Sequence, residues 1–328
     1  MADLKDILKR INKGKKEEDK ARFVADQPEG HYKKTTTPTG SPFLNLLTNG
    51  GDTRGGYNCI IADGGTGKTS AALMAIREDQ KETGKFAVYF DGEGTLDDSY
   101  IERMGVDTSK LIIETGRNLE DMLDKAEAYS TADDIGIIVL DSIPIYVATS
   151  VEEKSAGQNS MAAEARRWTA RMPIIEANCF SRKTTLLGLT SFKLDPGAMG
   201  DPRYLPRGNW QKTMGNLMIS FTKKETIKDE DKNHIGHVLD VRVIKSKIAS
   251  YDKKEIFKVN FYYDKGFDKY DEYVSVMVTK EIIHKGGAWF SFPNIDAEEI
   301  KLNGKPAVVT YMKENPKDFQ YLKSLIDG

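Results

Sequence analysis

The stretch that decides the fold is YNCIIADGGTGKTSAALMAI, residues 57–76. An almost continuously apolar run (57–62) leads into the glycine-rich segment ADGGTGKTS (62–70), and helix-forming residues follow. This is the strand–loop–helix context in which the P-loop pattern is meaningful, although Ala62 stands where the first glycine of that pattern usually lies. The stretch therefore predicts a buried strand that opens directly into a phosphate-binding loop.

The residue types of this loop suit the phosphates of ATP. The glycines let successive backbone N–H groups converge on phosphate oxygens, and the helix N-terminus adds partial positive charge. Lys68 offers a positive charge to the β- and γ-phosphates, and Thr69 offers a hydroxyl to Mg²⁺. The alternative is a glycine-rich turn with a chance lysine. The predicted ATP-binding residues of the loop are Asp63, Gly64, Gly65, Thr66, Gly67, Lys68, Thr69 and Ser70.

The chain around this loop alternates short apolar runs with helix-length segments. The further runs are KFAVYFD (85–91), KLIIE (110–114), IGIIVLD (135–141) and TTLLGLTS (184–191), and the helical segments are 68–83, 118–130 and 160–181. Continuous apolar runs are typical of parallel strands that are covered on both faces. After residue 214, two β-rich runs flank the polar turn KDEDKNH, which predicts a hairpin that extends the sheet. His234 and His237 border that turn and are expected to be solvated. The sequence predicts an α/β fold with a mainly parallel, twisted sheet flanked by helices.

Two carboxylates follow predicted strands. Asp141 ends IGIIVLD, where a P-loop enzyme would hold Mg²⁺ through a carboxylate, although an Asp that caps a strand end is a common alternative. Glu93 lies just past KFAVYFD among glycines, where a carboxylate can orient or deprotonate the attacking water. From spacing alone, a solvated loop glutamate is an equally good interpretation of Glu93.

Composition excludes some classes of protein. The 328 residues carry a net charge of -2, so nucleic-acid binding would have to come from local patches. No apolar stretch approaches a membrane span, and the first residues lack the features of a signal peptide. The two cysteines, Cys59 and Cys179, lack metal-ligand spacing. We expect a cytoplasmic protein, in a bacterial cell or a phage-infected host, without a membrane partner.

The chain is expected to divide into three parts. Leu4, Ile7, Leu8 and Ile11 follow helical spacing, so residues 1–34 are predicted to form a short helical arm and linker. That helix would pack either on its own domain or on a neighbouring protomer. The ATPase core is expected over 35–265 and a small mixed α/β C-terminal domain over 266–328.

The sequence resembles the RecA family of DNA recombinases, including bacterial RecA and its phage relatives of the UvsX type. The ordered segments that carry the resemblance are TPTGSPFLNLLTNGG (37–51), YFDGEGTLDDSYIERMGVD (89–107), VRVIKSKIA (241–249), KGGAWFSF (285–292) and NGKPAVVTYMKENP (303–316). P-loop motifs alone occur in many ATPases, whereas this ordered set is specific. The resemblance implies a RecA-like P-loop ATPase core.

The resemblance also implies roles for individual residues. Glu93 falls at the position of the water-activating glutamate, and Asp97, Tyr100 and Tyr270 fall where the family holds the nucleotide base. Lys245 and Lys247 fall where a neighbouring protomer reaches the γ-phosphate in trans, as an arginine finger does. On sequence alone, both lysines alternate on one strand face and could be solvated.

Two loops are implied to contact DNA. The first, residues 152–167, places Met161 and Arg166 at family positions that contact single-stranded DNA. The second, residues 192–212, is long enough to be either functional or a disordered surface loop. Its candidate contacts for phosphates are Lys193, Arg203, Arg207 and Lys212, and its candidates for insertion or stacking between bases are Met199 and Tyr204. Asp195 and Asp201 weaken its basic character.

Three departures from the family pattern stand out. Ser191 replaces the glutamine or histidine that senses the γ-phosphate, and its short hydroxyl puts coupling between ATP and the DNA loops in question. Thr213 stands about where a phenylalanine links protomers. The long acidic tail of bacterial members does not follow LKSLIDG, so regulation by that tail is not expected.

The resulting prediction is a DNA-dependent ATPase that uses ATP and Mg²⁺ and forms helical homo-filaments on single-stranded DNA. It would pair that strand with duplex DNA in recombination and repair, with a single-strand-binding protein and a loader as further partners. Two alternatives stay open. One is a hexameric helicase motor with the same core, and the other is an ATP-switched DNA-binding mediator with little hydrolysis.

Overall fold

Strands and helices alternate through the first two-thirds of the chain, as the apolar runs predict. The structure is a computed structural model that describes residues 3–15, 20–23, 34–149, 158–195, 197, 202–250 and 256–326, with the backbone alone at 158–161. The strands are β1 (Thr36–Thr37), β2 (Asp52–Thr53), β3 (Tyr57–Ala62), β4 (Phe86–Asp91), β5 (Leu111–Thr115), β6 (Ile135–Asp141), β7 (Thr185–Thr190), β8 (Lys193–Leu194), β9 (Arg203–Tyr204), β10 (Leu217–Lys228), β11 (His234–Ser246), β12 (Phe257–Tyr262), β13 (Gly266–Phe267), β14 (His284–Gly286), β15 (Trp289–Pro293) and β16 (Glu299–Asn303). The helices are α1 (Leu4–Asn12), α2 (Pro42–Leu47), α3 (Lys68–Thr83), α4 (Asp98–Arg103), α5 (Leu119–Ser130), α6 (Gln158–Arg182), α7 (Trp210–Met214), α8 (Lys269–Thr279), α9 (Lys305–Glu314) and α10 (Pro316–Ser324).

The main sheet has nine strands among the described residues, in the order β13-β12-β11-β10-β3-β7-β6-β4-β5. The strands from β10 to β5 run parallel to one another. β11, β12 and β13 then extend the β10 edge in antiparallel fashion. The hairpin predicted after residue 214 is therefore present, and it joins the parallel sheet through β10. β3, which carries the phosphate loop, lies near the middle of the sheet.

Both faces of the central part of this sheet are covered, which explains why β3, β6 and β7 are almost continuously apolar. All seven residues of β6 are buried. Ile137 and Val139 belong to the core cluster that includes residues of α3, whereas Ile138 and Leu140 belong to the cluster that includes residues of α5 and α6. Successive side chains of a strand point to opposite faces, so burial on both sides removes the polar alternation of a half-exposed strand.

The C-terminal residues form a third core. β14, β15 and β16 make a separate antiparallel sheet. Phe290 and Phe292 of that sheet pack with apolar residues of α8, α9 and α10, among them Val308 and Phe319. By its contacts the chain divides into two units, Met1–Thr35 and Thr36–Gly328, so this third core belongs to the larger unit.

The hairpin corrects one expectation from the sequence. His234 is exposed, but His237 is fully buried, 5.2 Å between ring centroids from Phe261 and 5.5 Å from Tyr263. The reason is that β12 pairs with β11 beyond the turn and covers this position. Burial, together with the charge of Lys223, lowers the pKa of His237.

No helix among the described residues is long and apolar enough to cross a membrane.

Candidate nucleotide site and its surroundings

The phosphate loop lies at the carboxyl end of β3 and at the start of α3, where it lines a cavity of about 700 Å³. Parallel sheets commonly bind ligands at this end of their strands. The predicted residues that line the cavity are Gly64, Gly65, Gly67, Lys68, Thr69, Ser70, Glu93, Tyr100, Asp141 and Ser191.

The backbone of the loop explains why its glycines are needed. Gly67 has φ 89°, and a Cβ atom built there would lie 2.5 Å from Cε2 of Phe261. A Cβ at Gly64 or Gly65 would instead meet nothing within 4 Å, so this side of the loop is open. The hydroxyl of Thr66 donates to the carbonyl of Asp63 at 2.6 Å. Asp63 and Thr66 therefore shape the loop from within, while the open glycines face the space where phosphates would lie.

Lys68 folds back over the loop. Its Nζ donates to the carbonyl oxygens of Ala62 and Asp63, at 2.8 and 3.0 Å. Burial lowers the pKa of Lys68, while the nearby carboxylates of Asp141 and Glu93 oppose that shift. The ammonium group is thus held beside the loop, in the position from which a point charge can meet a polyphosphate.

Thr69, at the start of α3, meets Asp141, at the end of β6. The Thr69 hydroxyl donates to Oδ2 of Asp141 at 3.0 Å, and the buried Tyr89 hydroxyl donates to the same oxygen. Burial raises the pKa of Asp141, and these two hydrogen bonds offset part of the rise. Mg²⁺ is usually held in phosphate sites by one or two protein oxygens together with phosphates and water. Thr69 and Asp141 fit that pattern, and the described residues contain no cluster of three or more His, Cys, Asp or Glu that would form an all-protein metal site.

Glu93 lines the same cavity, beside the residue that follows Asp141. Its side chain is exposed, and Oε1 accepts a hydrogen bond of 2.9 Å from the hydroxyl of Ser142. The turn that carries it is shaped by Asp91, whose carboxylate accepts from the backbone N–H groups of Gly94 and Leu96. Sequence reasoning did not identify Ser142. Its place directly after Asp141, at the end of a buried strand, was the available signal.

Comparison with known proteins identifies the family. A model of the RecA N-terminal domain family matches residues 3–268. The chain belongs to the RecA family. Protein RecA of Petrotoga mobilis is 30% identical over 292 residues, which cover 88% of this chain and 78% of that protein. Protein RecA of Thermotoga maritima is 29% identical, covering 85% and 78%, and that of Mycoplasma mycoides subsp. mycoides is 28% identical, covering 89% and 84%.

Membership of the RecA family confirms the leading prediction from the sequence. The function is ATP-dependent recombination and repair of DNA, rather than that of a helicase motor or of a mediator with little hydrolysis. A DNA-dependent ATPase activity in the general sense goes with the family.

The two tyrosines that fall at family positions for the nucleotide base, Tyr100 and Tyr270, line two different cavities. Tyr100 lines the phosphate cavity, where its hydroxyl is hydrogen-bonded to that of Ser70. Asp97 caps α4 by accepting from the backbone N–H of Tyr100 at 3.0 Å, and hydrogen bonds, first from the Ser99 hydroxyl, lower its pKa. Tyr270 lines a second cavity of about 590 Å³, with Lys313 Nζ 5.8 Å from its ring centroid. Tyr100 and Tyr270 are therefore not brought into one cavity.

Lys245 and Lys247, which fall at the family positions that act on a neighbouring protomer, do not line the phosphate cavity of their own chain. Lys245 Nζ donates to the carbonyls of Lys212 and Thr213, at 2.6 and 3.2 Å. Lys247 Nζ donates to the carbonyl of Met214 at 3.1 Å. Both ammonium groups thus cap the carboxyl end of α7, where cations are favoured. Burial, and then the charge of Lys247, lower the pKa of Lys245.

Four of the predicted DNA-contacting cations are exposed, and they are Arg166, Lys193, Arg203 and Lys212. Lys193 also lines the phosphate cavity, which sequence reasoning did not predict. Met199 and the side chain of Met161 lie outside the described residues.

Arg207 requires a correction. Its guanidinium contacts the carboxylate of Glu164 and donates to the carbonyl of Pro144 at 2.8 Å, and its side chain is only 16% exposed. A guanidinium in these contacts is not presented to a DNA phosphate, so the prediction of a phosphate contact does not fit this geometry. The sequence could not reveal this because Glu164 and Pro144 are distant along the chain.

Proposed function

We propose that this chain is a P-loop ATPase that polymerises on single-stranded DNA, binds ATP between protomers and pairs the bound strand with duplex DNA. The observation that carries the proposal is the arrangement around the phosphate cavity. Lys68, Thr69, Asp141 and Glu93 line one cavity, where Thr69 is hydrogen-bonded to Asp141 and Glu93 is hydrogen-bonded to Ser142.

Each of these groups has a part in phosphoryl transfer. The open glycines and Lys68 would bind the phosphates. Thr69 and Asp141 would hold Mg²⁺, which neutralises phosphate charge when it is bound. Glu93 would orient a water molecule and accept its proton as that water attacks the γ-phosphate. Lys245 and Lys247 of a neighbouring protomer would neutralise the charge that develops in the transition state.

In such a filament, the three parts of the chain would have different roles. Residues 1–34 would pack between protomers, 35–265 would form the ATPase core and 266–328 the C-terminal domain. None of the residues of α1 is buried, and Leu4 and Ile11 are 54% and 41% exposed, so its apolar face is available to a neighbour. We propose a single-strand-binding protein and a loader as further partners.

The test is steady-state ATP hydrolysis with and without single-stranded DNA. We expect DNA to stimulate turnover of the unsubstituted protein. Glu93→Gln should reduce turnover by about a hundredfold or more, which is typical for loss of a general base, while ATP still binds. Glu299→Gln makes the same chemical change at an exposed position of β16 and should behave as the unsubstituted protein. ATP-dependent DNA binding without any stimulation of hydrolysis would instead favour an assembly switch.

A further inference from the structure

An ion pair between the half-buried Arg207 and the buried Glu164 joins the two segments that resemble the family's DNA loops. Nη1 of Arg207 contacts Oε2 of Glu164, and the two side chains are 16% and 3% exposed. Glu164 lies on α6, two residues before the predicted DNA contact Arg166. Arg207 lies near the end of the second loop, four residues after Arg203. Residues 158–167 of the first segment belong to α6, so the pair fixes the later part of the second segment to the helical part of the first.

The same two side chains also hold the wall of the ATP cavity. Nη2 of Arg207 donates to the carbonyl of Pro144 at 2.8 Å, and Pro144 lines the phosphate cavity. Oε1 of Glu164 accepts from the backbone N–H of Ala148 at 3.3 Å. The segment 144–148 is thus attached to this pair at two points, one through each partner.

At its N-terminal end, the segment 144–148 is connected to Ser142, which contacts Glu93. Residues Ile143–Ile145 form a single 3-10 turn, closed by a 3.0 Å hydrogen bond from the N–H of Ile145 to the carbonyl of Ser142. The hydroxyl of Ser142 in turn donates to Glu93 at 2.9 Å. One short turn therefore separates the group that holds Glu93 from the carbonyl that binds Arg207.

Close packing makes this region suitable for transmitting a displacement. The buried rings of Trp168 and Trp210 are stacked, with centroids 5.2 Å apart and an interplanar angle of 9°. A Cβ built on Gly208 would lie 3.2 Å from Cβ of Ala165. Densely packed groups move together rather than deforming continuously, so a shift at either loop would be passed to the segment bound by Arg207.

We propose that Glu164 and Arg207 are positioning residues that couple the DNA loops to Glu93 through Pro144 and Ser142. This inference rests on the proposed function, because it presupposes that DNA stimulates hydrolysis. It also supplies a route that does not depend on Ser191, whose short side chain replaces the family's γ-phosphate sensor. Arginine suits the role because its planar fork binds a carboxylate and a carbonyl at the same time, which an ammonium group does less well.

The experiment is to measure ATP turnover at increasing concentrations of single-stranded DNA, which gives two separate quantities. One is the ratio of turnover at saturating DNA to turnover without DNA, and the other is the DNA concentration that gives half of the stimulation. Arg207→Met should lower the ratio by at least about fivefold, the lower end of typical coupling between sites, and leave the half-saturating concentration within about twofold. Arg207→Lys should give an intermediate ratio, and Glu164→Gln, which keeps the size of the side chain, should also lower it.

Arg203→Met is the matched control, because it removes an exposed arginine from the same loop. It should raise the half-saturating DNA concentration and keep the ratio at saturation. Removing one partner leaves the other without its counter-ion, which itself destabilises the protein. The melting temperature of each variant is therefore measured, so that a loss of stability can be distinguished from a loss of coupling.

Two results would overturn the inference alone. One is a full ratio with a raised half-saturating concentration in Arg207→Met, which would mean that Arg207 contacts DNA directly. The other is a lowered melting temperature in Arg207→Met and Glu164→Gln with an unchanged ratio, which would mean a purely structural pair. Absence of stimulation in the unsubstituted protein would overturn the proposed function, and this inference with it.

Discussion

The hydroxyl of Thr69 donates a 3.0 Å hydrogen bond to Asp141, a residue 72 positions later in the chain. It joins the first turn of the helix after the phosphate loop to the end of β6. Because the same carboxylate also accepts from Tyr89, it is oriented before any ligand arrives.

Replacing the Asp141 carboxylate should leave an ATP-binding protein whose affinity for ATP no longer depends on Mg²⁺. Asp141→Asn keeps the shape of the side chain and removes its charge, so we expect ATP to stabilise the variant almost equally with Mg²⁺ and with a chelator. In the unsubstituted protein, Mg²⁺ should increase the ATP-induced shift in melting temperature. The measurement is thermal unfolding with ATP under both conditions. An undiminished Mg²⁺ effect in Asp141→Asn would contradict the assignment of this residue as a metal ligand.

The contact between Gly67 and Phe261 should limit which residues the loop tolerates. Gly67→Ala combines a left-handed backbone, φ 89°, with a Cβ 2.5 Å from the Phe261 ring, so we expect nucleotide affinity to fall by about tenfold or more. Adding Phe261→Leu should restore part of the affinity by removing the clash. Gly84→Ala is the control, because Gly84 also has positive φ but a Cβ there meets nothing within 4 Å. Equal affinities for ATP, measured by calorimetry in all three variants, would show that the ring contact is unimportant.

The separation of Lys245 from the phosphate cavity predicts complementation between two inactive variants. If Glu93 acts from one protomer and Lys245 from its neighbour, a mixed filament contains some intact sites. An equal mixture of Glu93→Gln and Lys245→Ala should recover about a quarter of the unsubstituted rate, because a random head-to-tail polymer places the two intact groups together at that frequency. The measurement is DNA-stimulated ATP turnover against mixing ratio. A mixture no more active than its separate components would mean that both groups act in the same chain.

Burial of Glu272 should make stability depend on pH. This residue of α8 is 2% exposed, and burial raises its pKa from 4.5 to about 8, against opposing hydrogen bonds from the Ser41 hydroxyl and the Phe43 backbone. The folded state therefore retains a proton that the unfolded chain releases above pH 4.5, so the stabilisation is complete below that pH and is lost as pH rises towards 8.

Glu272→Gln removes this titration. We expect the free energy of unfolding of the variant, relative to that of the unsubstituted protein, to increase between pH 5 and pH 8 by about 1–3 kcal/mol. Asp52 has a pKa raised to about 7 by burial, and it remains in both proteins, so its effect cancels in the comparison. Urea unfolding at several pH values provides the measurement. Parallel pH profiles for the two proteins would contradict the prediction.

Sequence alone determined the parts of this protein that are encoded by neighbouring residues. Tyr57–Ala62, Lys68–Thr83 and Ile135–Asp141 were predicted with the bounds that the structure shows. A continuous apolar run, a glycine loop and a helix start are all local, so they can be recognised without knowing what packs against them. The RecA-like order of motifs then indicated the family.

Tertiary structure alone decided which distant side chains meet. The alternation of polar and apolar residues along β11 could not show that His237 is buried. Its burial depends on β12, which pairs with β11 and places Phe261 beside it. The composition of the second loop made Arg207 look like the other loop cations, yet its guanidinium is held by Glu164 and by the carbonyl of Pro144. Ser142 acquires its importance only through Glu93, from a different strand. The energy of such contacts depends on burial and on the geometry between separate elements, and no local pattern in the sequence encodes either of them.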